Sequence, residues 1–352
     1  MPTLPKVLEP SGGERVAPAP SRTLPCVREG IGNVRHERDA YPPEGIGTFG
    51  RGEAAIRRMI VRGTVNRRGF LGTALALGGG VGLAPRGLFA AEAAKGAPNC
   101  EKLGWRFGIT AYTFRHLALC EAAEQVAALG LRYIEGFTWQ KLSARKPNVV
   151  TNETMATDDR KETKARLADL GVQLVSCYCQ AMAQEDACRK LFDWAKEMGM
   201  EILVAEPPPA AYDMVGKLLD EYQLSLAVHN HPKPSGYWNP DVFLKAVEGR
   251  TKRIGVCGDT GHWARSGLKP ADALRKLEGR IVSLHIKDIA KFDDPKCPCV
   301  AFGTGEGDLA GVAREIRRQG IKPFIAIEHE VNAPTVADVA ACVAYFDKVA
   351  GE

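Results

Sequence analysis

Histidine and acidic residues end a series of short apolar segments in the C-terminal half of the chain. Five of the seven histidines lie within or just past such segments: His229, His231, His262, His285 and His329. Imidazole nitrogens and carboxylate oxygens are donors that proteins offer to divalent transition metals. Such groups are costly to bury without a partner, and a bound cation removes that cost. The pattern therefore predicts a metal centre.

The spacing of these residues indicates which of them share a face. Side chains two positions apart on a strand point the same way. This rule pairs polar residues at three strand ends: His229 with His231, His285 with Lys287, and Glu328 with Glu330. Asp259 ends the apolar segment between those of His229 and His285. Four consecutive strands would then supply the metal ligands His229, Asp259, His285 and Glu328. Each residue alone also fits a hydrogen-bonded core residue or a helix cap, and their convergence favours the metal, as Mn²⁺, Zn²⁺ or Co²⁺.

Further side chains at the same strand ends are candidates for catalysis and substrate binding. A general base must lie within hydrogen-bond reach of the carbon that loses a proton, and cations can neutralise a developing oxyanion. The expected catalytic residues are Glu330, Glu135, His262 and Lys287. The expected substrate-binding residues are His231, Arg265, Trp263 and Glu206. Four aromatic residues on the same side either stack on a sugar ring or pack loops together: Trp139, Tyr237, Trp238 and Trp263.

An alternation of short apolar runs with longer amphipathic stretches must position these side chains. The predicted strands are 107–113, 133–137, 174–179, 202–206, 226–231, 254–259, 282–287 and 324–330. The predicted helices are 119–129, 163–170, 188–198, 214–222, 242–247, 271–277, 309–318 and 336–349. Eight strand–helix units predict an α/β fold, a (β/α)₈ TIM barrel, with the active site at the C-terminal ends of its strands.

An open doubly wound sheet is the main alternative fold. The first predicted strand is not followed by the Gly-x-Gly-x-x-Gly pattern that marks a dinucleotide crevice. The later Gly303-Thr304-Gly305-Glu306-Gly307 segment is typical of a mobile loop, and its glutamate would repel phosphate. The barrel is therefore favoured.

Three motifs resemble the xylose isomerase-like barrels called sugar phosphate isomerases/epimerases, which include inosose dehydratase and endonuclease IV. The motifs are Gly258-Asp259-Thr260-Gly261-His262-Trp263, Leu284-His285-Ile286-Lys287-Asp288 and Ile327-Glu328-His329-Glu330. The resemblance covers about residues 105–350, and it implies that Asp259, His285 and Glu328 hold a divalent metal and that His262 contacts substrate. It also implies a metal-dependent isomerase or epimerase that acts on a sugar or keto-sugar through an enediolate.

The fifth predicted strand departs from the family pattern. Related ketose epimerases carry a glutamate there that both ligates the metal and moves a proton, whereas this chain reads His229-Asn230-His231. An imidazole that ligates a metal is not the same proton acceptor. The missing carboxylate could come from Glu206 or Glu135, and the His-Asn-His form resembles members that hydrate or dehydrate keto-sugars or cyclitols. A lyase is therefore the alternative to an isomerase, and a non-catalytic carbohydrate-binding barrel is a further one.

The N-terminal third predicts export. Arg67-Arg68 precedes an uncharged apolar run over 70–81 and small residues near 90–94, which resembles a twin-arginine signal peptide over 59–95 and a periplasmic location. The run is too short for a stable membrane anchor. Residues 1–58 are rich in Pro, Gly, Arg and Glu and are expected to be a disordered or mis-called extension, with Met59 as the true start.

Composition limits the classes of partner. The chain has 352 residues and a formal net charge of +5 that is concentrated in its N-terminal arginines, so no nucleic-acid partner is expected. An endonuclease IV-like site would need further histidines on the second and third strands, which are absent. Most of the ten cysteines lie in apolar runs and are expected to be free thiols. The expected partner is a small sugar, and a homo-oligomer remains open.

Overall fold

The structure is a computed structural model that describes residues 96–180 and 182–352. The predicted extension over 1–58 and the predicted signal peptide over 59–95 lie outside the described residues. Among the described helices, none combines the length and the apolar character that a membrane span requires.

Eight parallel strands close into a barrel, which confirms the predicted fold. A short antiparallel hairpin follows the second of them. In chain order the strands are β1 (Arg106–Thr110), β2 (Tyr133–Phe137), β3 (Lys141–Ser143), β4 (Lys146–Val150), β5 (Gln173–Tyr178), β6 (Ile202–Ala205), β7 (Ser225–His229), β8 (Ile254–Asp259), β9 (Ile281–Ile286) and β10 (Phe324–Ile327). The barrel order is β1, β10, β9, β8, β7, β6, β5 and β2, and β2 pairs with β1 to close the ring.

Helices connect the strands and cover the outside of the barrel. They are α1 (Pro98–Lys102), α2 (Leu119–Ala128), α3 (Thr157–Asp169), α4 (Glu185–Met198), α5 (Tyr212–Tyr222), α6 (Pro240–Ala246), α7 (Thr260–Arg265), α8 (Pro270–Lys276), α9 (Leu309–Gln319) and α10 (Val336–Gly351). Every predicted helix is present. Helices α1 and α7 and the β3–β4 hairpin were not predicted, because segments this short carry too few residues to display a period.

Six of the eight barrel strands end one to three residues earlier than predicted, whereas β2 and β8 end as predicted. The first strand stops at Thr110, whose side-chain oxygen accepts a hydrogen bond from the backbone N–H of Tyr112 and begins a 3₁₀ turn over Ala111–Phe114. The last barrel strand, β10, stops at Ile327, so Glu328 and Glu330 lie just beyond it. Polar side chains at these positions are therefore held at the barrel mouth and not inside a ladder.

The barrel interior shows the two-residue period of its strands. Ala227, Cys257 and Ala326 belong to an apolar cluster inside the barrel. Two positions further along their chain segments come His229, Asp259 and Glu328, which share the inward direction. The polar residues thus form the layer directly above an apolar one, at the C-terminal end of the barrel.

Candidate metal centre and its surroundings

The four predicted metal ligands meet in one cluster. His229 ends β7, Asp259 ends β8, His285 lies on β9 and Glu328 follows β10. Asp259 and His285 are direct partners in the ladder between β8 and β9. Each of the four side chains offers a donor atom, and all four atoms lie within 4.8 Å of one another. None of the four residues is more than 6% exposed.

The donor atoms of the cluster face each other without hydrogen bonds. Nδ1 of His285 lies 2.6 Å from Oε2 of Glu328, and Nε2 of His229 lies 3.6 Å from Oδ2 of Asp259. All four of these atoms are buried. Those of His229, His285 and Glu328 have no hydrogen-bond partner among the described residues, and Oδ2 of Asp259 has the ammonium group of Lys287 3.0 Å away. Buried polar atoms are rarely left unpaired, so convergent lone pairs of this kind fit a divalent cation. The residues present therefore suit the metal that the sequence predicts.

Helix α7 explains how Asp259 is oriented. Oδ1 of Asp259 accepts a hydrogen bond of 2.8 Å from the backbone N–H of His262 and caps the helix. This contact leaves Oδ2 for the cluster. The neighbouring Asn230 fixes the backbone at this position, because its side chain accepts from the N–H of Asp259 and donates to its carbonyl. The Asp-x-x-His spacing is thus one turn of a capped helix.

Two glycines of the same motif make room for buried side chains. A Cβ on Gly258 would lie 2.5 Å from the ring of Trp263, and one on Gly261 would lie 2.7 Å from Cγ of Lys287. Trp263 is 1% exposed, so it packs in the core and does not line the opening. The glycines therefore let α7 and the stem of Lys287 approach the ligand-bearing strand.

A buried lysine lies among three carboxylates beside the cluster. Nζ of Lys287 is 3.0 Å from Oδ2 of Asp259, 3.3 Å from Oε1 of Glu328 and 3.0 Å from Oε1 of Glu330. Burial lowers the pKa of Lys287, but Asp259, Glu328 and Glu330 outweigh it and hold that pKa well above its usual value. Lys287 is therefore a permanent cation in an interior where it is fully enclosed.

Glu330 joins this lysine to Arg265. Oε2 of Glu330 accepts a hydrogen bond of 3.1 Å from Nη1 of Arg265, which also donates from Nη2 to Sγ of Cys299. Burial raises the pKa of Glu330, but the cations Lys287 and Arg265 outweigh it and hold the pKa below its usual value. Glu330 thus keeps its negative charge at neutral pH while lying outside the ligand set.

His262 is enclosed by the same two cations. Nδ1 of its ring lies 3.2 Å from Nη1 of Arg265, and Nε2 lies 3.4 Å from Nζ of Lys287. Burial, which outweighs the opposing effect of Asp259, holds the pKa of His262 well below its usual value. The imidazole is therefore neutral at physiological pH and can serve as an uncharged hydrogen-bonding group beside the cluster.

A second carboxylate–imidazole pair, Glu206 and His231, lies beside His229. Oε1 of Glu206 lies 2.7 Å from Nδ1 of His231 and accepts a hydrogen bond of 2.7 Å from the hydroxyl of Tyr178. It lies 3.8 Å from Nδ1 of His229. His231 is the most open of these residues, with 46% of its side chain exposed. The pair faces the mouth of the barrel, where a substrate would enter.

Glu135 reaches the cluster from behind His285. Its Oε1 lies 2.7 Å from Nε2 of His285, and its Oε2 accepts a hydrogen bond of 2.6 Å from the hydroxyl of Ser176. The residue is fully buried. Both carboxylate oxygens are engaged on the side of the ring away from Nδ1, so the structure does not bring Glu135 to the open side of the cluster.

The aromatic residues divide between core and mouth. Trp139 is 46% exposed and packs edge-on against Tyr178, which in turn contacts the ring of His229. The hydroxyl of Tyr237 donates to the carbonyl of Pro207, and the ammonium of Lys233 lies over Trp238. Trp139 is thus the aromatic side chain of this group that presents a large surface to solvent.

Three residues near the cluster were not predicted from the sequence. Sγ of Cys257 lies within 4.8 Å of donor atoms of His229 and His285, one layer below the ligands. Ser176 and Cys299 hold Glu135 and Arg265 as described above. Cys257 could have been identified from the sequence because it precedes Asp259 by two positions on the same strand. Nothing in the local sequence marks Ser176 or Cys299 as neighbours of the cluster.

The chain belongs to the xylose isomerase-like TIM barrel family, whose model matches residues 123–345. This match confirms the xylose isomerase-like barrel that the sequence motifs predicted. No curated protein is significantly similar to the chain in sequence.

Three solved structures of similar fold each cover 69% of the chain. An uncharacterised protein from Parabacteroides distasonis is 28% identical, with a TM-score of 0.58 over 69% of this chain and 98% of its own. A sugar phosphate isomerase/epimerase from the same organism is 16% identical, with a TM-score of 0.53 over 69% and 94%. The IOLI protein, solved with a zinc atom, is 16% identical, with a TM-score of 0.54 over 69% and 96%. At 16% identity the likeness extends to the fold alone.

Proposed function

We propose that the chain is a divalent-metal-dependent isomerase or epimerase of an unphosphorylated sugar or keto-sugar that reacts through an enediolate. The observation that carries this proposal is the convergence of four buried donor atoms, from His229, Asp259, His285 and Glu328. The IOLI protein of the same fold binds zinc, which supports a divalent ion in this chain as well.

The chemistry follows from the groups around the cluster. When bound, a divalent ion polarises a carbonyl and its adjacent hydroxyl and so acidifies the neighbouring C–H bond. Glu330 remains ionised and is our candidate for the group that accepts this proton. Lys287 and Arg265 would stabilise negative charge that develops on substrate oxygen, since both are fixed cations in an interior of low dielectric. His262 would orient a substrate hydroxyl as a neutral donor or acceptor.

Our proposal specifies an unphosphorylated substrate because the protein is expected to be exported. A twin-arginine signal at Arg67-Arg68 would carry the folded protein out of the cytoplasm, where sugar phosphates are kept. The open side of the barrel mouth offers His231, Glu206 and Trp139, a set suited to sugar hydroxyls and an apolar sugar face.

A keto-sugar or cyclitol dehydratase or hydratase is the second candidate. The pairing of His231 with Glu206 at 2.7 Å favours it, because an imidazole held by a carboxylate is suited to give a proton to a departing hydroxyl. In that case Glu330 would remove the carbon-bound proton and His231 would assist the loss of water. A carbohydrate-binding barrel without turnover is the third candidate, and it would use the same ligands to bind a sugar.

Exchange of substrate hydrogen with solvent separates these candidates. The protein would be stripped with a chelator, reloaded with Mn²⁺, Zn²⁺ or Co²⁺, and incubated in D₂O with a panel of aldoses, ketoses, keto-glycosides and cyclitols under NMR observation. An isomerase or epimerase incorporates deuterium next to the carbonyl and yields an isomer, whereas a lyase yields an unsaturated product or its hydrate. Binding without exchange for any substrate would favour the binding barrel.

Matched variants link the exchange to the cluster. Asp259→Asn and Glu328→Gln are expected to lose bound metal and exchange together, because each removes a charged ligand. Glu278→Gln, a substitution on an exposed loop, is the control and should retain both. Absence of bound metal from the wild-type protein after reloading would refute the proposal.

A further inference from the structure

The two nitrogens of His285 have different partners. Nε2 lies 2.7 Å from Oε1 of Glu135, and Nδ1 lies 2.6 Å from Oε2 of Glu328 without hydrogen-bond geometry. An ionised carboxylate only accepts hydrogen bonds, so Glu135 requires the proton of His285 on Nε2. In the neutral ring, the form that can ligate, the lone pair is then on Nδ1, which points into the cluster.

We propose that Glu135 is a positioning residue that selects the Nε2-protonated tautomer of His285 and fixes the ring so that Nδ1 can ligate a metal. The inference rests on the metal centre of the proposed function but is independent of the substrate and of the reaction. Metal-binding histidines commonly donate their other ring N–H to a carboxylate, which orients the ring and increases the basicity of the ligating nitrogen.

Ser176 completes this arrangement. Its hydroxyl donates a hydrogen bond of 2.6 Å to Oε2 of Glu135, and Ser176 and Glu135 are direct partners in the ladder between β2 and β5. All three residues are 2% exposed or less, so water does not compete for these contacts. The result is a buried relay of hydrogen bonds from Ser176 through Glu135 to His285.

The geometry separates this role from acid–base catalysis. Glu135 lies behind the His285 ring with both oxygens engaged, whereas a catalytic base must reach the substrate. The carboxylate therefore acts through His285. Its removal should change metal affinity even when no substrate is present.

Three variants test the proposal on the full chain. Glu135→Gln keeps an oxygen that can accept from Nε2 and removes the charge, Glu135→Leu removes the acceptor, and Ser176→Ala removes the support of the carboxylate. Asp347→Asn is the control, because Asp347 is also buried but caps α1, which leads into the N-terminal end of β1, away from the ligand-bearing strand ends. Thermal unfolding of each chelated protein first establishes that it is folded.

Two measurements report on the metal and the ring directly. Apparent Kd values for Zn²⁺ and Co²⁺ come from competition with a chromophoric chelator, and long-range ¹H–¹⁵N NMR of zinc-loaded protein identifies the protonated ring nitrogen. Loss of an outer partner of a metal ligand commonly costs 10- to 100-fold in affinity. We expect weakening of about 10-fold for Glu135→Gln and about 100-fold for Glu135→Leu, with a smaller effect for Ser176→Ala.

Glu135→Gln, the conservative variant, tests whether an uncharged acceptor at this position is enough to hold the His285 ring. Glu135→Gln should retain the Nε2-protonated form and most of the visible Co²⁺ spectrum, whereas Glu135→Leu should lose both. Should Glu135→Leu fail to fold, Glu135→Gln and Ser176→Ala carry the test. Metal affinity within twofold of wild type in the folded variants, or an equal loss in Asp347→Asn, would overturn the proposal. Wild-type protein that binds no metal would overturn the proposed function as well.

Discussion

The ammonium group of Lys287 lies 3.0 Å from Oδ2 of Asp259, and neither side chain has any exposed surface. A buried pair of this kind is costly to break, because the remaining partner becomes an uncompensated charge. The same ammonium group lies 3.3 Å from Glu328 and 3.0 Å from Glu330, so three carboxylates share this cation. Lys287 therefore lets the cluster stay folded in its metal-free form.

Replacement of Lys287 should make folding depend on metal. We expect Lys287→Met to lose about 3–5 kcal/mol of unfolding free energy in chelated protein, since the buried carboxylates of Asp259 and Glu328 then lose their ammonium partner. Added Mn²⁺ or Zn²⁺ should recover part of this loss, because a ligand that binds only the folded state stabilises it. Urea unfolding with chelator and with metal measures both effects.

An exposed lysine provides the control. Lys217→Met, on the outer face of α5, should change the unfolding free energy by less than about 0.5 kcal/mol in either condition. Chelated Lys287→Met with wild-type stability would contradict the role assigned to this lysine.

Metal binding should strengthen as the pH rises. Burial lowers the pKa of His229, but Asp259 and Glu206 outweigh it and raise the pKa to about 10 in the metal-free protein. The proton on His229 must leave before the ring can ligate, so below that pKa each unit of pH should increase the apparent affinity about tenfold per displaced proton. Calorimetry in buffers of different ionisation enthalpy would count the released protons. Equal affinities at about pH 6 and about pH 8 would be inconsistent with this linkage.

The convergence of the four candidate ligands could be predicted from the sequence because strand geometry is local. His229, Asp259 and Glu328 each follow an apolar interior residue by two positions, and the period of a strand alone places them on one layer. The pairing of Glu135 with His285 could not be predicted in this way, because the two residues are 150 positions apart and meet only when the barrel closes. The burial of Trp263 likewise depends on Gly258, whose missing side chain leaves space for the indole.

Trp139 should contribute to substrate binding and little to turnover. Its ring is 46% exposed and begins an aromatic series that continues through Tyr178 to His229. Aromatic contacts are worth about 0.5–1.5 kcal/mol beyond the area they bury, so Trp139→Ala should raise KM up to about tenfold with kcat within about twofold. Steady-state kinetics on the substrate identified by deuterium exchange would measure both.

The control for this prediction is a second exposed apolar residue. Val242 is 44% exposed on α6, and Val242→Ala should leave KM and kcat unchanged. Equal KM values for Trp139→Ala and wild type would assign the tryptophan to loop packing.

Glu330 should be essential for proton transfer but not for metal binding. It is absent from the ligand set of the cluster, and Lys287 and Arg265 hold its carboxylate 3.0 Å and 3.1 Å away. Glu330→Gln preserves the shape of the side chain and removes the proton acceptor, so kcat should fall about 100- to 10,000-fold while the metal Kd changes less than about threefold. Glu328→Gln should instead lose the metal itself. Metal content and the rate of deuterium incorporation, measured on the same samples, distinguish the two variants. Full exchange activity in metal-loaded Glu330→Gln would transfer the role of base to another group.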